Sequence, residues 1–564
     1  MERLLLPDLY ATLPMNSSQH GFRSNRSTVT ALMHLSTTIT RGFNAAKPAT
    51  RTGLLSIDIS KAFDVVQRDL LLQKLGQTGL HSNIKRWFLA YLVDRRVRVR
   101  YQDKLSKWLK SKLGMLQGAV TSPPLWNFFT LDLKVESADV DESFADDFHA
   151  GASSPDVEEI TGTLNVAAVK MVRWANENDM LISAPKSSVT LFTPWTRQVN
   201  TQLDVKINDN VVPTNKYPKL LGVTFDPLHT FSHHVVSIMR RASSRLNMMR
   251  ALADTSFGKD KECLVLTFKA FNRSLFDYCA PIVYPIYSPS SIKRLQKVQN
   301  KALRLVLGCH NAASFEHLHV ECQELPVKEH LHLLSAQFLA RSLQPSHPSH
   351  HYAQLDQGHR QLKHTLRSKV IEDVRPYLES DGTAREGSFS YIKNAFHTDI
   401  VSKVVRDLAP NRVLGHPPVA VSKSEIYLPR LIRATLSQLR SGACACLKDF
   451  QLKLGKVQED TCSVCGLFPE TVKHLFDCPA RPTQLCERDL WDNPREAADF
   501  LSSHPAFDFP PLGSPPRLRK RPRPPSLPPD TFSPLLLPPL SPLFPPPIPP
   551  LIRVEGQWGS LYKI

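Results

Sequence analysis

Cysteine is absent from the first part of this 564-residue chain, since the first of its ten cysteines is Cys263. A small secreted disulfide scaffold would spread its cysteines along the chain, so reduced thiols are expected here. The N-terminus also lacks the long apolar core and small-residue cleavage pattern of a secretory signal. Mean hydropathy is -0.23, which excludes a multi-span membrane protein. These absences predict an intracellular protein that has no membrane partner.

Acidic residues are also in short supply. The sequence has 52 Asp and Glu against 70 Lys and Arg, which gives a net charge of +18. This excess favours association with a polyanion, although it carries no information about the fold. Hydrophobic residues make up 42% and charged residues 22% of the chain, which excludes wholesale disorder.

Hydrophobic periodicity divides the chain into regions of different character. Up to about residue 225, strand-like runs alternate with helical periodicity, for example a strand at 53–59 followed by a helix at 62–75. The pattern then turns helical, and 18 of the 41 residues from 510 to 550 are proline, which predicts a disordered or extended tail. We therefore expect a mixed α/β (α+β) fold in five parts, at 1–225, 226–345, 346–455, 456–505 and 506–564.

Basic residues concentrate in the helical region. Between positions 235 and 304 the chain has 13 Lys and Arg against 4 Asp and Glu. Within a predicted helix at 291–307, Lys293, Lys297 and Lys301 recur every four residues and so share one face. This face is either a solvated helix surface or a surface that follows nucleic-acid phosphates.

Three acidic residues have an unusual setting. Asp58 ends an apolar strand, and Asp146-Asp147 is flanked on both sides by apolar residues. Burying unpaired charge is costly, and Mg²⁺ would compensate that charge through oxygen ligands. Two Mg²⁺ ions held in this way would catalyse an in-line phosphoryl displacement. For an isolated Asp-Asp pair, a surface turn is the competing interpretation.

A cysteine and histidine motif lies near the C-terminus. Its spacing is Cys462-x2-Cys465-x8-His474-x3-Cys478, which suits tetrahedral Zn²⁺. Four protein ligands leave no position for water, so the predicted zinc site is structural. The alternative is a set of free cysteines beside an incidental histidine.

Six sequence blocks, taken in order, resemble reverse transcriptases of non-LTR (LINE-type) retrotransposons. They lie at 19–27, 54–64, 114–123, 144–147, 174–187 and 219–226, and the fourth reads Phe-Ala-Asp-Asp. The resemblance implies a right-hand polymerase with a palm, partial fingers, a helical thumb and a small zinc knuckle. The chain starts where the fingers of this family are already under way, so we expect an N-terminally truncated form.

The resemblance also implies roles for individual residues of the palm. Asp58, Asp146 and Asp147 would bind two Mg²⁺ ions with help from the backbone carbonyl of Ile59, and Phe63 would exclude a ribose 2′-hydroxyl. The residues expected to lie against the incoming nucleotide are Gln117 and Gly118, and the general acid for pyrophosphate departure is expected to be Lys186. Without the family context, Phe63 would read as a core residue.

Nucleic-acid contacts are implied for further residues. Arg23 would brace the template or the fingers, and the thumb would contact the template-primer backbone through Arg241, Arg245, Lys293, Lys297 and Lys301. Such contacts are independent of base sequence and sensitive to salt. The zinc knuckle would hold RNA or target DNA.

The predicted function is therefore RNA-directed DNA synthesis. An RNA template, a DNA primer or target and deoxynucleoside triphosphates would be the partners, and a basic stretch at 517–521 is a weak signal for the nucleus. Two other functions are compatible with the same residues. One is a catalytically inactive remnant that only binds nucleic acid, and the other is a two-metal nucleic-acid hydrolase.

Overall fold

The structure is a computed structural model that describes residues 1–135, 138–254, 258–354 and 362–510. The predicted Pro-rich tail lies almost entirely outside the described residues. In the described ranges the strands are β1 (Arg51–Asp58), β2 (Arg96–Val97), β3 (Arg100–Tyr101), β4 (Lys104–Leu105), β5 (Leu109–Lys110), β6 (Val140–Phe144), β7 (Asp147–Ser154), β8 (Ser188–Phe192), β9 (Lys206–Ile207), β10 (Asn210–Val211), β11 (Lys219–Leu220) and β12 (Val223–Thr224).

The α-helices of the same ranges are α1 (Glu2–Thr12), α2 (Thr28–Asn44), α3 (Ala62–Val65), α4 (Arg68–Gly76), α5 (Ser82–Leu92), α6 (Ser122–Phe129), α7 (Val157–Glu177), α8 (Ser232–Leu252), α9 (Lys261–Phe268), α10 (Ser274–Asp277), α11 (Ala280–Val283), α12 (Pro289–Leu307), α13 (Phe315–Cys322), α14 (Val327–Ser342), α15 (His350–Gln354), α16 (Leu366–Val374), α17 (Phe389–Arg406), α18 (Arg430–Arg440), α19 (Lys448–Lys453), α20 (Val472–Asp477), α21 (Asp489–Asp492) and α22 (Pro494–Ser502). From α8 at Ser232 onward the described elements are helices, as expected for the region after about residue 225.

The chain forms two compact units, and each unit is built from three separate segments. Unit 1 comprises Met1–Ala242, Ser274–Gln296 and Val327–Ile400. Unit 2 comprises Ser243–Arg273, Lys297–Pro326 and Val401–Ile564, of which the structure describes residues up to Pro510. These segments run across the predicted boundaries at 225, 345 and 455. The five-part functional division stays a prediction.

Unit 1 is organised by a four-stranded sheet. The strand order is β6-β7-β1-β8, and every neighbouring pair is antiparallel. Because successive side chains of a strand point to opposite faces, β1 contributes to two layers. Leu55 and Ile57 belong to the apolar core that also includes Ile160 and Leu164 of α7. Ser56 faces the other side, where its hydroxyl lies 3.1 Å from Nδ1 of His149. Helix α7 contacts β1 and β7, and α2 contacts β1, β6 and β7, so both helices pack against the sheet.

The helix predicted at 62–75 is interrupted in the structure. It is divided into α3 and α4, because Val66 is extended (φ -52°, ψ 123°) and Gln67 pairs with Leu113. The turn brings the chain against Gly114, whose amide donates a hydrogen bond to the Val66 carbonyl. Periodicity alone could not detect this break, since the residue that requires it lies far along the sequence.

Unit 2 has its own apolar core. Ile432, Leu436 and Leu439 of α18 pack with Leu475 of α20 and with Trp491. A fully buried arginine, Arg440, ends α18 within this unit. Unit 2 thus combines an apolar core with buried charge.

Candidate active site and metal-binding loop

The three predicted carboxylates lie at one end of the sheet of unit 1. Asp58 ends β1 and is paired in register with Asp147, the first residue of β7. Asp146 lies in the two-residue turn between β6 and β7. Two strands and one tight turn therefore bring together residues that are far apart in the sequence.

The charges of these carboxylates act on one another. Partial desolvation by the surrounding protein raises the pKa of the Asp147 carboxyl although the residue is exposed, and the negative charges of Asp146 and Asp58 raise it further. Asp146 and Asp147 are exposed, and Asp58 is half-buried. Across the described ranges, the oxygens of these three residues are not gathered within 4.8 Å, unlike the ligand atoms of the cysteine and histidine motif. The site is an acidic cluster whose repulsion a hard cation would relieve.

The turn that carries Asp146 is held by a buried amide side chain. Oε1 of Gln19 accepts hydrogen bonds from the amides of Ala145 (2.9 Å) and Gly21 (2.7 Å), and Nε2 donates to the Ala145 carbonyl (3.1 Å). Trp126 donates to the same carbonyl through Nε1 (2.8 Å). Ala145 has a φ of +57°. Since this left-handed conformation is unfavourable for alanine, its contacts fix it.

Strand β6, which leads into the turn that contains Asp146, is held by a buried carboxylate. The carboxylate of Glu142 on β6 lies 2.6 Å from Nε2 of His20 and 2.7 Å from Nδ1 of His34. Burial alone would raise the pKa of Glu142, but hydrogen bonds and charges from the two histidines outweigh burial and lower it. Glu142 is therefore an ionised group that fixes β6 to the N-terminal segment and α2.

The other side of Asp58 is bonded to the segment that precedes β8. The amide of Asp58 donates to the Ser187 hydroxyl (3.1 Å), and the carbonyl of Asp58 accepts from the Ser183 amide (3.0 Å). Ile59 lies opposite Ile182 in an antiparallel bridge. The backbone hydrogen bonds of this bridge are made by the residues adjacent to Ile59 and Ile182. Lys186 is exposed in the same segment, near the end of the sheet where Asp58 lies.

The loop at 114–118 packs against α3. Gly114 has a φ of +84°, and a Cβ there would lie 2.7 Å from the Asp64 carbonyl oxygen, so only glycine fits. Nε2 of Gln117 donates to the Asp64 carboxylate (2.7 Å). Gly118 is exposed with a φ of +87°. The half-buried Phe63 ring stacks on Trp126 at 4.7 Å between centroids. The structure thus places Gln117 of the loop against α3, where its partner Asp64 directly follows Phe63.

The predicted nucleic-acid contacts have different surroundings. Arg23 donates to the carbonyls of Asn16 (2.6 Å) and Gln19 (3.2 Å), so it braces the N-terminal segment. Arg245 donates to the Phe271 carbonyl within unit 2. The other predicted residues are exposed, namely Arg241, Lys293, Lys297 and Lys301. Their contacts with nucleic acid stay predictions.

The cysteine and histidine motif forms a compact cluster in unit 2. The ligand atoms of Cys462, Cys465, His474 and Cys478 all lie within 4.8 Å of one another. His474 lies on α20, and Thr471 caps this helix by accepting a hydrogen bond from the His474 amide. Hydrogen bonds, first from the backbone of Leu467, lower the pKa of Cys465 to about 6. A thiolate is the form that binds metal, so the cluster is suited to a metal ion.

With this geometry in place, the N-terminal region can be compared with known proteins. Residues 1–225 match the family described as "Reverse transcriptase (RNA-dependent DNA polymerase)". This match covers 225 of the 564 residues of the chain. The predicted resemblance to LINE-type reverse transcriptases is confirmed.

Relatives of this reverse transcriptase region include three proteins of Drosophila melanogaster. The probable RNA-directed DNA polymerase from transposon BS is 26% identical over 62% of this chain and 39% of that protein. The probable polymerase from transposon X-element is 27% identical over 52% and 32% of the two chains, and that from mobile element jockey is 25% identical over 55% and 34%. This chain therefore spans less than half the length of these curated relatives.

Structural similarity to solved proteins is weak. A telomerase from Candida tropicalis, solved with a TWJ fragment of telomeric RNA, is 12% identical, with a TM-score of 0.30 over 62% of this chain and 55% of that one. Separately, none of the helices that the structure describes is long and apolar enough to cross a membrane.

Sequence reasoning missed several residues that shape the reverse transcriptase region. Gln19 was identified only as part of a motif, and Glu142 was not identified at all. The buried Arg68 donates to the carbonyls of Gly114 (2.8 Å) and Leu113 (2.7 Å), so it holds the chain that leads into the 114–118 loop. Arg68 is the first residue of α4, whose sequence also contains Asp69 and Lys74, so no local pattern distinguishes it.

Proposed function

We propose that the chain is the polymerase part of a LINE-type retrotransposon protein, extending a DNA 3′-hydroxyl on an RNA template with deoxynucleoside triphosphates. The observation that carries the proposal is the pairing of Asp58 with Asp147 beside the turn that contains Asp146. Relatives named as RNA-directed DNA polymerases support the same reaction. A nuclear location stays a prediction.

The acidic cluster would hold two Mg²⁺ ions. When bound, they activate the attacking hydroxyl and stabilise the leaving oxygen of the phosphoryl transfer. Asp58, Asp146 and Asp147 would supply carboxylate oxygens, and Ile59 would supply its carbonyl. Because Asp146 and Asp147 are exposed, packing does not oppose the side-chain rotation that would bring their oxygens together.

Residues around α3 would position the nucleotide. Gln117 and Gly118 would lie against the nucleotide and template pair, while Phe63, supported by Trp126, would exclude the ribose 2′-hydroxyl. Lys186 would donate a proton to the departing pyrophosphate, which requires hydrogen-bond reach to that group. The basic residues Arg23, Arg241, Arg245, Lys293, Lys297 and Lys301 would contact the template-primer backbone.

The test is incorporation of deoxynucleotides by the full chain on an RNA template with a DNA primer. Asp146→Asn should lower the rate by about a thousandfold or more, because it removes a metal ligand from a two-metal site. Asp209→Asn is the matched control, since Asp209 lies in the exposed two-residue turn between β9 and β10.

Three outcomes would contradict the proposal. An Asp146→Asn variant that keeps full activity would refute the metal assignment. A wild-type chain that binds template-primer without incorporation would instead be an inactive remnant. Release of nucleotides from nucleic acid without added triphosphates would indicate a hydrolase.

The cysteine and histidine cluster would hold one structural Zn²⁺ and contribute to binding RNA or target DNA. Metal analysis of the purified chain should find about one zinc per molecule, and Cys465→Ser should remove it. Cys486→Ser is the control, because Cys486 is an exposed cysteine outside the cluster. Chelation should lower the melting temperature by about several degrees, since α20 contributes Leu475 to the core of unit 2. Equal zinc content in Cys465→Ser and the wild type would refute the site.

A further inference from the structure

A two-stranded arm lies between α5 and the 114–118 loop. Its strands β2 and β5 pair with each other, as do β3 and β4. Backbone hydrogen bonds from Ser106 to the Val99 carbonyl (2.9 Å) and from Ser111 to the Arg95 carbonyl (2.8 Å) extend the two pairings. All eight residues of the four strands are exposed. At roughly 3.3 Å per residue, the arm extends for about 20 Å.

The surface of this arm combines positive charge with aromatic rings. Residues 94–112 include two acidic side chains, Asp94 and Asp103, against eight basic ones, namely Arg95, Arg96, Arg98, Arg100, Lys104, Lys107, Lys110 and Lys112. Tyr101 is 73% exposed and Trp108 is 56% exposed. Isolated exposed aromatics are unremarkable, but two on one narrow basic ribbon form a concentrated patch.

The pairing of the strands places like charges opposite each other. Arg96 lies directly opposite Lys110 in the ladder, and like charges in this position are destabilising. The exposed carboxylate of Asp94, 3.7 Å from Nζ of Lys110, offsets part of this repulsion. The guanidinium of Arg98 lies over the Trp108 ring at 4.4 Å, so it is already arranged as a planar cation on an aromatic face. A polyanion lying along the arm would relieve the repulsion between the cations and could stack on the aromatic and guanidinium planes.

We propose that this arm binds single-stranded nucleic acid, with phosphates along its cations and unpaired bases stacked on Trp108 and Tyr101. This combination of a charged track with exposed rings is how proteins hold single strands without sequence preference. A duplex fits less well, because its bases are not free to stack on the rings. The site is separate from the acidic cluster, and binding to it requires no polymerase chemistry.

The arm can be altered without disturbing the core of unit 1. Its base is held by the buried Arg68, which donates to the Ser111 hydroxyl (2.9 Å) and the Leu113 carbonyl (2.7 Å). The two rings lie beyond this anchor and are exposed. Substituting them therefore removes surface and leaves the packed layers unchanged.

The first experiment measures binding of a labelled single strand of about 15 nucleotides to the full chain by fluorescence anisotropy. Neither Mg²⁺ nor triphosphates are added, so the measurement tests nucleic-acid binding by the arm even if the chain does not polymerise. The double variant Tyr101→Ala and Trp108→Ala should raise the dissociation constant by roughly 5- to 100-fold. Tyr391→Ala is the matched control, because Tyr391 is also 73% exposed.

A second variant tests the cations. Glutamine at Arg96, Arg100, Lys104 and Lys110 should reduce the steepness of the salt dependence by about 0.7 for each phosphate that the arm no longer neutralises. The control replaces four exposed cations elsewhere, at Lys206, Lys328, Arg375 and Lys453. RNA and DNA strands are compared in parallel, because the proposed contacts serve either sugar.

Two outcomes would overturn the proposal. If neither arm variant changes single-strand binding more than its control, the charged residues of the arm interact only with solvent. If a duplex binds more tightly than the single strand and the ring variants have no effect on either, stacking plays no part. Circular dichroism spectra that match the wild type exclude unfolding as the reason for any loss.

Discussion

A single side chain, Gln19, forms hydrogen bonds with both backbone groups of Ala145, the residue immediately before Asp146. Gln19 is 1% exposed, so water cannot replace these bonds. We expect Gln19→Ala to lower kcat of DNA synthesis by about 10- to 100-fold with little change in KM, because a small displacement of a catalytic group is costly. Steady-state kinetics on a primed RNA template would measure both constants.

Gln73→Ala provides the comparison for this variant, since Gln73 is exposed on α4. Gln19→Glu keeps the accepting oxygen but loses the donor to the Ala145 carbonyl, so its kcat should fall between those of the wild type and Gln19→Ala. A lower melting temperature with unchanged kcat would mean that Gln19 only stabilises the fold. The apolar flanks of Asp146-Asp147 predicted a metal-binding role for this pair, but Gln19 lies 126 residues from Ala145. No local pattern encodes such a contact.

At the level of elements, strand β6 depends on the buried carboxylate of Glu142. The pKa of this group lies below its ordinary value of 4.5, so its stabilising effect is present above about pH 4.5 and is lost as pH falls through the lowered pKa. Glu142→Gln should reduce the free energy of unfolding by roughly 1–3 kcal/mol at pH 7. The difference from the wild type should shrink below pH 4.5, as measured by urea unfolding at several pH values.

Glu379→Gln serves as the reference, because Glu379 is an exposed carboxylate of unit 1. A pH-independent difference would refute a role for the charge of Glu142.

Some secondary-structure elements were predicted from the sequence and others were not. The strand at β1 and the helix at α12 followed from periodicity, with Leu295 and Val298 buried and Lys297 exposed as expected. The break between α3 and α4 did not, because packing against Gly114 overrides the local helical pattern.

At the scale of the whole molecule, buried charge is concentrated in unit 2. Nη1 of Arg440 lies 2.6 Å from Glu321, and the same guanidinium donates to Glu425. Burial alone would raise the pKa of Glu425, but the charges of Arg440 and Lys261 outweigh burial and lower it. Arg440→Met leaves two buried carboxylates without this partner and should cost about 3–5 kcal/mol.

Thermal unfolding combined with limited proteolysis would test this prediction, with new cleavage sites expected in unit 2. Arg406→Met is the control, since Arg406 is an exposed arginine of the same unit. A melting temperature equal to that of the wild type would show that the ion pairs make no net contribution to stability.

Sequence composition predicted the basic character of the chain, and spacing predicted the cysteine and histidine cluster. Neither could place Arg440 inside a core, because its partners come from distant segments.

Unit 1 is built from three separate segments of the chain, which sets an order for biosynthesis. Tyr278 donates a hydrogen bond to the Leu221 carbonyl (2.6 Å), and Tyr352 stacks on His34 at 4.4 Å between ring centroids. A nascent chain that has emerged only to residue 225 therefore lacks packing partners for surfaces it already exposes. Chaperone protection on the ribosome would be needed until residues up to about 400 have emerged, and expression of the isolated 1–225 region should favour aggregation.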